Sequence, residues 1–197
     1  MEQNTNLWAL YLRLPRHFRV LLYGTVAIAL ATVAIILLKP AETEDWNQYL
    51  SNQGAFTVEV PAPSMQVNQD DYSFFDRSVR RFTHEASVEN GVFQVIHFDM
   101  PQGAITPAEQ PNVFNFLAAN FLLPVNGIIQ TTSETSVRGY PGIRVTARGT
   151  LHDESVAAEA IVVMVSNRLY TVGWYGPDKR AGRRDRDRFL ASFKFTF

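Results

Sequence analysis

ENGVFQVIHF, residues 89–98, predicts the turn and the second strand of a β-hairpin. Asn90 and Gly91 tolerate the positive φ angles that tight hairpin turns require. The run before them, residues 77–86, mixes apolar and charged side chains as an outer strand does. The two runs therefore predict neighbouring antiparallel strands.

The residues on both sides of this hairpin predict another strand and a helix. FTVEV, residues 56–60, alternates in polarity and stops at Pro61. Further along, Thr106-Pro-Ala-Glu109 has the form of a capping box, while Pro111 offers a later start for the same helix. Pro124 ends the helix. Its apolar residues recur at helical spacing: Val113, Phe114, Leu117, Phe121 and Leu122.

Four more strands and a second helix complete the chain. The predicted strands are 128–137, 143–150, 156–166 and 169–175. A turn at 138–142 and a hairpin at Asn167-Arg168 connect them, and the helix covers 185–192 with Phe189, Leu190 and Phe193 on its buried face. This order predicts an α+β domain over 54–197, a largely antiparallel β-sheet with packed helices.

VLLYGTVAIALATVAIILL, residues 20–38, predicts a transmembrane helix in front of this domain. The run carries no charge and spans about 28 Å, the hydrocarbon thickness of a bilayer. A cleaved signal peptide is the alternative, but its apolar core is shorter and ends at a small-residue cleavage site. This run ends at Lys39-Pro40 without such a site. We therefore predict an uncleaved anchor.

The flanks of the anchor predict its orientation. The residues just before it are basic: Arg13, Arg16, His17 and Arg19. Those shortly after it are mainly acidic: Glu42, Glu44 and Asp45. Because basic flanks stay in the cytoplasm, the N-terminus is expected inside and the domain outside. In a bacterium this means a single-pass protein of the inner membrane with a periplasmic domain.

Three stretches around the anchor carry further predictions. Small residues that permit close packing of another transmembrane helix share one helix face: Gly24, Ala27, Ala31 and Ala34. Alanine is also common in anchors without such a role. Residues 1–19 suit an interfacial helix on the lipid bilayer or a segment docked on a partner, a disordered leader being the alternative. The side chains behind that interpretation are Trp8, Tyr11, Arg13 and Arg16. Residues 39–53 predict a polar linker or a juxtamembrane helix.

Five short motifs follow one another in the outer domain: GAFTVEVP at 54–61, FQVIHFDMP at 93–101, GYPG at 139–142, NRLY at 167–170 and FLASF at 189–193. Their order resembles the PsbP-like superfamily, named for an extrinsic protein of photosystem II. The resemblance implies an antiparallel sheet with packed helices. It also implies a non-enzymatic accessory or assembly role in a large membrane complex. It transfers no catalytic residue, and the metal-binding histidines of some members match no position here.

The sequence contains few of the motifs that carry catalytic or metal-binding chemistry. The chain has no cysteine, which excludes disulfides and thiolate sites. His97 and Asp99 share a strand face and form a weak metal site with His84, although structural histidines are the simpler interpretation. His152-Asp-Glu154 is interpreted as a polar turn. Nucleophile elbows, phosphate loops and helical zinc motifs are missing, so we predict no enzyme, cofactor or metal. A hydrolase with carboxylates paired in space is the least supported alternative.

A basic run near the C-terminus is the remaining candidate. Its members are Lys179, Arg180, Arg183, Arg184, Arg186 and Arg188. Arginines pair well with carboxylates and phosphates, so the run predicts a docking patch for an acidic partner surface or anionic headgroups. A solvated face partly paired with Asp185 and Asp187 is the alternative. The formal net charge of −1 argues against nucleic acid as a partner.

Two functions follow from these observations. The first is an accessory subunit that contacts other membrane-protein subunits through its transmembrane helix and its periplasmic domain. The resemblance makes a photosynthetic reaction-centre or light-harvesting assembly the first complex to test. The second is a free membrane-anchored binding module for a small ligand or an envelope component.

Overall fold

The structure is a computed structural model that describes residues 45–74 and 77–197. The strands are β1 (Asn47–Ser51), β2 (Phe56–Val60), β3 (Gln66–Phe74), β4 (Arg77–Val88), β5 (Gly91–Asp99), β6 (Ile128–Val137), β7 (Tyr140–Leu151), β8 (Glu154–Val165), β9 (Arg168–Pro177) and β10 (Lys194–Phe195). The helices are α1 (Gln110–Phe121) and α2 (Arg180–Ser192), and a short 3-10 helix covers Leu123–Val125.

The strands form two antiparallel sheets. Seven strands lie in the large sheet in the order β3-β4-β5-β9-β8-β7-β6, and three lie in the small sheet in the order β1-β2-β10. Every neighbouring pair runs antiparallel. The predicted α+β class with a largely antiparallel sheet is therefore confirmed for the described domain.

Two hydrophobic clusters cover the two faces of the large sheet. α1 packs on one face, where Phe114 and Phe121 are buried. α2 and the small sheet pack on the other, around Phe56, Trp174 and Phe189. The central strand β9 is buried along nearly its whole length because both of its faces are covered.

Tight turns join the long strands. Arg138 and Gly139 have φ of 51° and 87° between β6 and β7, and His152 and Asp153 have 50° and 67° between β7 and β8. Two successive positive φ angles are characteristic of a type I′ hairpin turn, whose twist matches that of the flanking strands. The predicted polar turn at 152–154 is thus confirmed.

The hairpin at 89–98 is confirmed with a small change. Glu89 and Asn90 form the turn, and Gly91 starts β5 at a φ of 138°. A Cβ atom on Gly91 would lie 2.4 Å from Nε1 of Trp174. Glycine is therefore required both by the backbone angle and by the close approach of the indole.

The beginning of the domain differs from the prediction. Residues 47–51, expected in a linker over 39–53, form β1, which pairs with all of β2 from Asn47–Val60 to Ser51–Phe56. Residues 45–53 therefore belong to the same compact unit as the rest of the described domain, which was predicted to begin at Gly54. The strand signal is weak because only Tyr49 and Ser51 of β1 are withdrawn from solvent.

An entire edge strand was also missing from the prediction. β3 lies outside β4, so residues 77–86 belong to an inner strand rather than to an outer one. Nearly every side chain of β3 is exposed, and the sequence therefore shows no apolar alternation there.

Two further boundaries differ. The turn predicted at 138–142 is shorter, because β7 starts at Tyr140 and Pro141 pairs only with Ser136 of β6. Proline fits there because Pro141 lies beyond the end of the β8 pairing. The last helix starts at Arg180 instead of 185, because its first five residues are three arginines, Ala181 and Gly182, which give no apolar spacing to signal the start.

No helix within residues 45–74 and 77–197 is long and apolar enough to cross a membrane. The predicted anchor at 20–38, its small-residue face and the cytoplasmic segment 1–19 lie outside the described residues and stay predictions.

Candidate functional site

Two buried histidines on neighbouring strands connect the two sheets. His84 on β4 and His97 on β5 are each 1% exposed, and their Nε2 atoms are 3.1 Å apart. Nδ1 of His84 lies 2.9 Å from the hydroxyl oxygen of Tyr49 on β1. Phe56 of β2 meets the His84 ring edge-on. We call His84 and His97 the histidine pair.

Burial keeps the histidine pair neutral. Loss of hydration lowers the pKa of each histidine from 6.5 to about 4. A proton on His84 and the Arg168 guanidinium also lower the pKa of His97, and the Asp99 carboxylate acts in the opposite direction. The contact between the Nε2 atoms holds one proton, because two N–H groups would repel head to head. Nδ1 of His97 has no hydrogen-bond partner among the described residues. The pair is thus suited to packing and poorly suited to carrying charge.

The weak metal site that the sequence offers as an alternative to structural histidines is not assembled. Asp99 turns to Arg168, whose Nε and Nη2 donate to its two carboxylate oxygens at 2.5 and 2.7 Å. Those hydrogen bonds lower the pKa of Asp99. Over residues 45–74 and 77–197, no three histidine, aspartate or glutamate side chains are close enough together to hold a metal ion.

The basic run on α2 is divided among acidic partners. Arg183 donates to Asp178 at 2.9 Å. Arg188 donates to Glu59 at 2.7 Å, and its guanidinium lies 4.4 Å from the ring centre of Trp46. These arginines hold α2 against the small sheet and the end of β9.

The remaining members of the run differ in their surroundings. Arg184 lies 3.3 Å from Asp185. In the part of the chain that the structure describes, neither Lys179 nor Arg180 forms an ion pair, and both are exposed. The partly self-paired face foreseen as the alternative thus describes most of the run, and its use as a docking patch stays a prediction.

Arg186 is the member of the run that points inward. Its guanidinium lies 2.9 Å from Glu159 of β8, which is 4% exposed and also binds Arg144 of β7. We call Arg144, Glu159 and Arg186 the Glu159 triad. Arg186 also donates to Asp187 at 2.7 Å. The triad fastens α2 to the large sheet.

An open groove of about 380 Å³ lies beside the triad, between α2 and the β6–β7 hairpin. Its polar lining consists of Thr135, Ser136, Arg138, Arg144, Asp187 and Lys194. Ile161 and Leu190 contribute apolar surface. We call it the cationic groove, because three cations face one carboxylate.

The amino-acid sequence alone gives no sign of the cationic groove. Its charged residues come from the β6–β7 turn, β7, α2 and β10, so no local run of residues signals it. Only the topology brings Arg138 and Lys194 together. The sequence run that did attract attention contributes no cation to the lining.

Comparison with known proteins identifies the fold. No family model matches the chain, and no curated protein sequence matches it. The solution structure of the cyanobacterial PsbP protein CyanoP from Synechocystis sp. PCC 6803 matches with a TM-score of 0.51 and 13% sequence identity. The match covers 79% of this chain and 95% of the cyanobacterial one. The described domain has a PsbP-like fold.

The fold predicted from the order of the motifs is thus confirmed for the PsbP-like domain. A crystal structure of a Pseudomonas aeruginosa protein of unknown function matches with a TM-score of 0.34 and 9% identity over 68% of this chain and 83% of that one. Identity at these levels transfers the architecture and no site residue.

Proposed function

We propose that this protein is a non-enzymatic accessory subunit that stabilises a larger membrane-protein complex. The segment 20–38 anchors it in the inner membrane with the N-terminus in the cytoplasm, and the PsbP-like domain contacts the complex from the periplasmic side. A photosynthetic reaction-centre or light-harvesting assembly is the first complex to test.

The observation that carries the proposal is the PsbP-like fold, taken with the resemblance that implies an accessory role. The surface of the domain adds support. Leu123 and Ile128, close together in the chain where β6 begins, are 68% and 70% exposed. Large apolar side chains grouped on a surface are typical of sites that another protein covers.

Purification in a mild non-ionic detergent tests the proposal. The accessory subunit should migrate with a defined set of other membrane proteins, which mass spectrometry of the native complex identifies. Migration of the chain alone under every mild condition would contradict the proposal and favour the free membrane-anchored binding module.

Replacing the small residues of the anchor should detach the subunit. The substitutions are Gly24→Leu, Ala27→Leu, Ala31→Leu and Ala34→Leu. Leucine on this face prevents close approach of a partner helix, so we expect co-purification to fall at least about tenfold while membrane insertion is retained. The amount recovered with the complex, measured by quantitative mass spectrometry, checks this prediction.

A control on the opposite side of the same helix separates packing from insertion. Thr25→Leu and Ala29→Leu lie there because each residue advances by about 100° around a helix. This control should co-purify as the unsubstituted chain does. Equal recovery of both variants would remove the packing argument for the small-residue face.

A further inference from the structure

The cationic groove runs beside an open edge of the large sheet. β6 pairs with β7, and no other strand in the described part of the chain lies on its outer side. Its outward N–H and C=O groups are therefore free to pair with an added strand. Strand addition to such an edge is a common way to bind an extended peptide.

The two faces of β6 have different surroundings. Thr135 lies opposite Gly142 on the face that carries α2 and the groove, whereas Ile129 lies opposite Ala147 on the face that carries α1. A strand added beside β6 would present alternate side chains to these faces. Acidic side chains on the groove side would match its cations, whereas the other side of β6 is polar beyond Ile129 and includes the exposed Glu134.

The positive charge on the groove side favours acidic side chains on a bound peptide. Among the described residues, Arg138 and Lys194 have no ion pair, and both are exposed. Arg144 is held in place by the buried Glu159 and remains 42% exposed. The single carboxylate of the lining, Asp187, is already bound by Arg186. Two cations are thus uncompensated.

We propose that the cationic groove and the β6 edge bind an extended acidic segment of a partner protein. The backbone of the segment pairs with β6, and its carboxylates meet Arg138, Arg144 and Lys194. The inference rests on the proposed accessory function for the source of the segment, which is another subunit of the same complex. The binding itself involves only this chain and the peptide.

A fluorescent peptide of alternating glutamate and valine tests this inference on the full chain in non-ionic detergent. We expect a Kd of about 100 µM by fluorescence anisotropy at low salt, since a flexible peptide loses entropy on binding. The same peptide with glutamine in place of glutamate should bind about tenfold more weakly, because the charge contacts are lost. N-methylation of alternate amides should abolish binding.

Matched variants locate the site. Arg138→Asn with Lys194→Gln removes two groove charges, and asparagine tolerates the positive φ of residue 138. We expect about tenfold weaker binding. Lys179→Gln with Arg180→Gln removes two exposed charges outside the groove and should leave the affinity unchanged within about twofold. Circular dichroism verifies that both variants are folded.

Several outcomes would overturn the inference. These are no binding of the glutamate peptide, equal binding of the glutamine peptide, and equal weakening by the two double variants. Persistent binding of the N-methylated peptide, with release by millimolar inorganic phosphate, would reveal a simple anion site instead. Failure of peptide binding with intact co-purification removes this inference alone, whereas isolated migration of the chain removes the proposed function.

Discussion

Acidification from about pH 7.5 to about pH 5 should lower the free energy of unfolding by about 2 kcal/mol for each member of the histidine pair. In the folded domain the pKa of His84 and of His97 lies at about 4, whereas an unfolded histidine has a pKa near 6.5. The unfolded chain therefore binds more protons between these values. The contribution of the two neutral histidines to the free energy of unfolding is fully present above pH 6.5. It decreases as the pH falls and is lost once the pH passes below about 4.

Urea denaturation of the full chain in detergent at a series of pH values measures this loss. In the variant that combines His84→Gln with His97→Gln, the fall between the same pH values should shrink by about 3 kcal/mol or more. His152→Asn, in the exposed β7–β8 turn, is the control and should behave as the unsubstituted chain does. An unchanged pH slope in the double variant would contradict the burial of two neutral histidines. If that variant is too unstable to unfold cooperatively, His97→Gln alone should remove about half of the slope.

The same pair illustrates what the sequence can and cannot predict. Strand periodicity placed His84 and His97 on adjacent strands and predicted structural histidines. It could not predict the hydrogen bond between Tyr49 and His84, because Tyr49 lies on β1, which precedes the predicted start of the domain. Contacts between distant segments leave no local pattern, and β1 has too few buried residues to signal a strand on its own.

The strands predicted best were those with buried, alternating side chains or with turn residues that fix a hairpin. β5, β8 and β9 are of this kind. β3 was missed because an edge strand can be polar on both faces. The cationic groove was missed for a related reason, since charge on a surface becomes a site only after folding has set its neighbours. The run of six basic residues predicted a docking patch, yet in the folded domain most of these residues form ion pairs with acidic residues of the same chain.

Replacement of Glu159 with glutamine should lower the free energy of unfolding by about 3 kcal/mol. The carboxylate is 4% exposed and lies between two guanidinium groups, so its removal leaves Arg186 partly buried with only Asp187 as a charge partner. Arg144 loses less, because it is 42% exposed. Urea denaturation at about pH 7.5 measures the effect, a pH at which the histidine pair is neutral.

Glu59→Gln provides the matched control. It also breaks an ion pair between α2 and a strand, but Glu59 and Arg188 are 43% and 51% exposed in their side chains. Exposed pairs contribute little, so this variant should lose less than about 1 kcal/mol. Equal losses in the two glutamine variants would mean that burial of the Glu159 triad does not determine its contribution.

Replacing the whole triad separates its contribution to stability from its contribution to binding. Arg144→Met, Glu159→Met and Arg186→Leu together remove both the attraction and the desolvation of the charges, so the triple variant should regain most of the stability lost by Glu159→Gln. It also removes a groove cation and should bind the acidic peptide about fivefold more weakly than the unsubstituted chain. If the triple variant regains stability but binds the peptide more weakly, the triad serves mainly to position Arg144 for binding and adds little to the stability of the fold. A triple variant as unstable as Glu159→Gln would contradict the desolvation argument, and one that binds the peptide normally would remove Arg144 from the groove.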